Sequence, residues 1–238
     1  MSPLFLSRAR LRRDAPVAAL ACLLVPPDGA ARVASAHHLV WSLFADGPDR
    51  QRDFLWREER PGSFLTLSAR PPADPHGLFD LDDPKPFAPN LVPGDRLAFT
   101  LRANPVVARP DTPGKRGKRH DVVMDALHGV PSGARAEARP DIIVAAGSAW
   151  LARQGAAHGF EPEDRLNVDG YETVRLARDR PDRGERPAPI RFGMLDIGGV
   201  LTVRDADRFL AALAAGFGRS RAFGCGLMLI RRAPGRRP

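Results

Sequence analysis

The chain has 238 residues, 36 of them Lys or Arg against 28 Asp or Glu, for a formal net charge of +8 and a pI near 10.7. That length holds one large domain or two small ones, and a hydrophobic fraction of 43% excludes a disordered chain. No apolar run reaches the ~18 residues of a membrane span. The two cysteines, Cys22 and Cys225, are too few for a disulfide framework or a structural zinc site. The positive surplus points towards a polyanionic partner. Only three of the basic residues are Lys (Lys85, Lys115 and Lys118), however, and with 24 Pro and abundant Ala this skew is also what GC-rich codon usage produces.

From the N-terminus, residues 3–12 alternate as a half-buried strand does, with Leu4, Leu6 and Arg8 on one face and Phe5, Ser7 and Ala9 on the other. The same region imitates an export leader: basic Arg8 to Arg13, apolar Ala15–Val25, then the small run Val33–Ala36. Ser35 is placed to cap a helix over Ala36–Phe44, striped by Val40, Leu43 and Phe44. Strands are expected at Phe54–Glu59 and Ser63–Ala69 around the turn Arg60-Pro61-Gly62, then a Pro- and Asp-rich loop over 71–93, and a strand at Arg96–Ala103 that Pro105 ends. Beyond a basic stretch, Asp141–Gln154 predicts a helix with Ile142, Ala145, Ala149 and Trp150 inward. Asn167–Arg178 and Ile190–Val203 predict strands. Asp205 caps a helix at Ala206–Ala215 that Gly216 stops, with Phe209, Leu210 and Leu213 inward, and Leu227–Arg232 is a last strand. This is an α+β chain of two tandem ferredoxin-like (βαββαβ) domains, the first without a clear second helix. The expected boundaries are 1–103, a basic linker at 104–140, and 141–238.

Three segments bear chemistry. The linker carries Lys115, Arg116, Lys118, Arg119 and His120, which suits either a plain solvated loop or a basic arm for phosphates. Arg175, Arg178, Arg180, Arg183, Arg186 and Arg191 stud a hairpin-like segment, where Asp179, Asp182 and Glu185 also allow ordinary surface ion pairs. Gly216, Gly218, Gly224 and Gly226 let a backbone approach a ligand closely, with Arg219 and Arg221 adding charge, or else form a structural turn. The loop follows a helix and leads into a strand, the reverse of a dinucleotide fingerprint. His37 falls on the first helix, beside Trp41 one turn on; by itself that is also how a half-buried structural histidine sits. The histidines show no metal-ligand spacing, and no GxSxG nucleophile motif is present.

The runs Leu4–Arg8, His37–Phe44, Asp53–Arg57, Lys85–Phe87, Phe99–Pro105, Gly199–Val203 and Gly216–Met228 come in one order that resembles the CasE family, the CRISPR repeat-processing endoribonucleases of type I-E (Cascade) systems. Leu101-Arg102-Ala103-Asn104-Pro105 and the C-terminal glycine loop are the most specific parts. The resemblance implies a cytoplasmic, metal-independent RNA endonuclease with no cofactor and no membrane association. Its partners are the repeat hairpin RNA and other Cascade subunits. It places the family's helix histidine on His37 as general base, and RNA-gripping segments on 115–119 and 175–191. It leaves Arg8, Arg32 or Arg219 to offset phosphate charge. Where some relatives carry a Tyr, this chain has Ala34, and where some carry a basic residue it has Ser42. A catalytically silent RNA-holding subunit of the same fold is the alternative.

Overall fold

The structure, a computed structural model, describes residues 3–45, 47, 51–109, 117–177 and 188–234. Their contacts divide into two compact units. The first takes Met1–Pro89, Val174–Arg191 and Ser220–Leu227, and the second takes Asn90–Thr173, Phe192–Arg219 and Met228–Pro238.

In the first unit, β1 (Phe5–Leu11) is followed by two single-turn helices, α1 (Ala15–Ala18) and α2 (Ala21–Leu24), and by α3 (Gly29–Ser42). Then come β2 (Phe54–Arg60), β3 (Ser63–Ser68), β4 (Phe79–Leu81) and β5 (Lys85–Pro86). The sheet runs β2-β3-β1-β4, with β5 also on β1. Register sets Ser7 opposite Thr66 and Ala9 opposite Phe64, so the Ser7/Ala9 face of the expected alternation is the buried one. The core packs Ala36, Leu39, Val40, Leu43 and Phe44 against Phe54, Trp56, Phe64 and Phe79, side chains whose full burial stabilises by roughly 1.5–3 kcal/mol apiece.

Two expectations change here. The helix begins a full two turns before Ala36: Asp28 caps it, accepting from the Ala31 N–H at 2.7 Å. Ser35, expected as the cap, lies inside the helix and donates to the Leu24 carbonyl at 2.7 Å. The expected loop over 71–93 also holds β4 and β5, strands of three and two residues whose pairing with β1 is a long-range event.

In the second unit, β6 (Arg96–Ala103) precedes a two-stranded ribbon, β7 (Val106–Arg109) with β8 (Lys118–Asp121). Next are α4 (Val122–His128), a 3-10 turn (Ser132–Ala134), α5 (Arg135–His158) and β9 (Phe160–Pro162). β10 (Asn167–Leu176), β11 (Ile190–Val203), α6 (Ala206–Ala215) and β12 (Met228–Arg232) complete the chain, with a second 3-10 turn (Arg221–Phe223), which belongs to the first unit, between α6 and β12. The sheet runs β10-β11-β6-β12, with β9 on β11. Counted from β6, this is the same second-third-first-fourth order as the first sheet, the ferredoxin-like arrangement twice over. The strand over 96–103, expected to close the first domain, is therefore the leading strand of the second sheet. Leu101 pairs with Ile197 on one side and Met228 on the other.

The expected linker is structured where it is described, as β8, α4 and the start of α5. That helix begins at Arg135 and carries Pro140 within its second turn, one lost backbone bond that twenty-four residues of helix tolerate. Its buried face is Gly147, Trp150, Leu151 and Gly155; Ala145 and Ala149, expected inward, are exposed. The last helix is as expected, with Asp205 accepting from the Arg208 N–H at 3.0 Å and Gly216 ending it. Among the described residues, no helix is long and apolar enough to cross a membrane.

Candidate active site

With Ala36 and Val40 one turn apart and turned to the core, α3 carries His37 and Trp41 on its flank and His38 in solvent. The Trp41 and His37 rings stand 6.2 Å apart, edge to face. The other wall of the half-buried His37 is supplied by the 3-10 turn Arg221–Phe223. The Phe223 ring lies 5.2 Å away, and the Ala222 carbonyl is 2.8 Å from His37 Nδ1.

That carbonyl fixes the chemistry of the ring. A carbonyl can only accept, so Nδ1 carries the proton and Nε2 keeps its lone pair. Trp56 Nε1 donates to the same oxygen at 3.2 Å and holds it in place from β2. Burial lowers the pKa of His37 below its ordinary value; the Ala222 hydrogen bond opposes the shift, and the like charges of His38 and Arg52 add to it. The imidazole is therefore neutral at neutral pH, with a free basic nitrogen, the state a general base requires.

Local backbone geometry positions Ala222. Ser220, with φ 52°, is the one non-glycine residue of positive φ among the described residues, and it opens the turn by accepting from the Phe223 N–H at 2.8 Å. Gly224 closes it at φ 80°, and a β-carbon there would lie 3.1 Å from the Trp56 ring. Only glycine allows both that φ and the close pass along the indole.

The earlier half of the glycine segment belongs to the second unit. Gly218 has φ 73°, and a β-carbon on it would meet the Asn104 carbonyl at 2.8 Å and Trp150 at 3.2 Å. The Arg219 N–H donates to the Asn104 carbonyl at 3.2 Å, while Asn104, only 4% exposed, donates from Nδ2 to the Gly193 carbonyl at 2.7 Å. The distinctive Leu101–Pro105 run thus anchors this turn.

Of the predicted site residues, the first unit brings together His37, Arg221 and Gly224; Gly226 follows, buried. Gly216, Gly218 and Arg219 lie in the second unit. Lys118 and Arg119 are exposed on β8, opposite Arg109 and Ala108, and Arg109 is tied to Asp125 at 2.6 Å. Arg175 is exposed on β10. Lys115, Arg116, Arg178, Arg180 and Arg183 lie outside the described residues. Arg8 and Arg32, expected as partners for phosphate charge, lie beside Glu59 at 3.0 Å and Glu58 at 3.8 Å. Tyr171 donates to Asp121 at 3.0 Å within the second unit; burial, then the nearby carboxylate, pushes its pKa up to about 12. Sequence reasoning missed Arg52, although it directly precedes the Asp53–Arg57 run. Among the described residues, no three His, Cys, Asp or Glu side chains gather as a metal-ligand group.

Residues 4–232 match the family model described as CRISPR associated protein. A CRISPR-associated endoribonuclease Cse3 of Thermus thermophilus is 32% identical over 161 residues, covering 65% of this chain and 64% of that protein. The chain's match thus spans a little under two thirds of that relative's length. The CRISPR system Cascade subunit CasE of Escherichia coli K12 is 26% identical over 201 residues, 82% of this chain and 89% of that protein. Among solved structures, Thermus thermophilus Cse3 bound to an RNA representing a pre-cleavage complex superposes with a TM-score of 0.63 at 24% identity, over 98% of this chain and 100% of that one, which shows the shared fold.

Proposed function

The chain belongs to the CasE/Cse3 family of CRISPR-associated proteins, and on that premise we propose that it is an endoribonuclease that cuts precursor CRISPR RNA at the base of each repeat hairpin. The observation that carries the reading is the hydrogen bond from His37 Nδ1 to the Ala222 carbonyl, which leaves Nε2 basic and neutral. In RNA the 2′-OH lies beside the phosphate it can attack. His37 Nε2 takes the 2′ proton as the 2′-oxygen bonds to phosphorus and the P–O5′ bond breaks. The products are a 5′-OH and a 2′,3′-cyclic phosphate, and the scheme calls for no metal ion or cofactor. Lys118, Arg119 and Arg175, exposed and cationic, suit the phosphates of a hairpin, as do the basic segments of which they form part. A cytoplasmic location and retention of the product RNA go with this reading, and the Escherichia coli relative, named a Cascade subunit, supports a place in a Cascade assembly.

The test is incubation with a hairpin repeat RNA in EDTA. The wild type cleaves, His37→Ala is slower by about 10²–10⁴-fold, and RNA affinity is little changed. A substrate with a 2′-deoxy sugar just upstream of the cut stays intact. Equal rates for wild type and His37→Ala would remove the assignment. RNA binding with no cleavage by the wild type would make the chain a silent RNA-holding subunit.

A further inference from the structure

Arg52 stands two residues before the start of β2, in the first unit. Phe54, two residues on, packs its ring 5.2 Å from Trp41, Trp41 in turn stands against His37, and the charge of Arg52 acts on the His37 ring, which puts Arg52 beside the candidate base. The Nη1 atom of Arg52 is buried and has no hydrogen-bond partner among the described residues. A buried guanidinium nitrogen left without an acceptor costs free energy that folding does not recover.

The adjacent carboxylate, Asp53, turns its Oδ2 to Arg70 at 3.2 Å, and neither of its oxygens takes a hydrogen bond from Arg52 Nη1. Several other arginines of this unit have carboxylate partners. Arg8 has Glu59, Arg10 has Asp82, Arg12 has Asp14 and Arg32 has Glu58. Cationic groups gather here: Arg221 bears on Arg52, and Arg52 and His38 bear on His37, while the Asp53 carboxylate beside them is turned to Arg70. A half-buried cluster of basic groups with a donor held open is a receptor for an oxyanion, and the planar guanidinium fork matches phosphate oxygens.

We propose that Arg52 is the phosphate-binding residue of the His37 site, its buried Nη1 donating to a non-bridging oxygen of the phosphodiester on which His37 acts. The inference rests on the endoribonuclease reading and adds a residue to it. As the 2′-O–P bond forms and the P–O5′ bond breaks, the 2′ proton passes to His37 Nε2 and the departing 5′-oxygen takes a proton from solvent. Arg52 exchanges no proton; it offsets the negative charge gathering on the non-bridging oxygen.

The experiment combines binding and cleavage. Hairpin repeat RNAs with a 2′-deoxy sugar at the cut, which cannot react, are prepared with a neutral methylphosphonate at each phosphate around the stem base in turn. At the scissile position the wild type loses affinity about tenfold. Arg52→Gln loses about tenfold on unmodified RNA and less than twofold more on the methylphosphonate, because the partner of that phosphate is already gone. With reactive RNA, Arg52→Gln cleaves about 10²–10³-fold more slowly at saturation, Arg52→Lys recovers part of the rate, and the melting temperature of both stays near wild type. Independent, additive losses from Arg52→Gln and the methylphosphonate would overturn the proposal, as would a rate loss that tracks a fall in melting temperature. If the coupling is present but wild-type protein never cleaves reactive RNA, the phosphate contact stands and the nuclease reading falls. Cleavage without coupling leaves the nuclease and removes Arg52. No RNA binding at all overturns both.

Discussion

Along β6 the polar groups meet counterparts. Arg102 lies on Asp196 at 2.7 Å, Arg96 on Glu163 at 2.7 Å, and Asn104 on the Gly193 carbonyl at 2.7 Å. In the first unit, with a sheet of the same strand order, His37 sets Nδ1 against a backbone carbonyl, and Arg52 has a buried donor with no partner among the described residues. On the proposed reading, the contrast separates polar groups that define the architecture from polar groups held for a ligand. Satisfied pairs resist change because breaking one strands its partner, whereas an unsatisfied cationic cluster is stable only at a cost that an incoming anion removes.

Three measurements press on that contrast. The largest effect belongs to Asn104→Ala, which strands the Gly193 carbonyl and loosens the Gly218–Arg219 turn. It costs about 1–3 kcal/mol, read as a melting temperature several degrees lower, while His37→Ala, on the ligand side of the contrast, costs far less. An unchanged melting temperature for Asn104→Ala would erase the distinction. A smaller effect comes from pH. With His37 as the proposed base, the cleavage rate is expected to fall as pH drops through a His37 pKa that burial and its neighbours hold below the ordinary 6.5. Removing a like charge favours protonation, so His38→Gln moves that acid limb upward towards 6.5, by less than about one pH unit. A limb that moves down or stays fixed would mean His38 does not act on the ring. Smallest is Lys118→Ala with Arg119→Ala, on the exposed ribbon. If these side chains meet RNA phosphates, the slope of log affinity against log salt flattens by about 1 per lost contact. An unaltered slope would make the ribbon purely architectural.

Much of the framework was legible because it is local. Asp205 and Gly216 bracket α6 with a cap and a stop, and the Arg60-Pro61-Gly62 turn sets β2 against β3 with sequence neighbours alone. Legibility failed where distant pairing decides. β6 alternates as a strand should, yet nothing in its own residues says that Ile197 and Met228 flank it and not the first sheet. β4 and β5 are too short to show a period and exist because β1 offers an edge. The cap of α3 was missed because Ser35 and Asp28 are both competent caps, and tertiary packing of the whole helix selects the earlier one. At the site, His37 was reachable through its helix, but the acceptor that sets its tautomer and the open donor on Arg52 are visible only in three dimensions.

His37 and Ala222 are 185 residues apart in the chain, and this distance imposes an order of events on synthesis. A ribosome releases the histidine, its helix and both central strands of the first sheet long before the Ser220–Gly224 turn emerges. Until that turn has docked, the imidazole has no carbonyl to choose its tautomer and no aromatic wall against solvent. Contacts of such long sequence separation close late, so the proposed base is armed by one of the last steps of folding. An incomplete chain with an intact α3 is, by construction, a disarmed one.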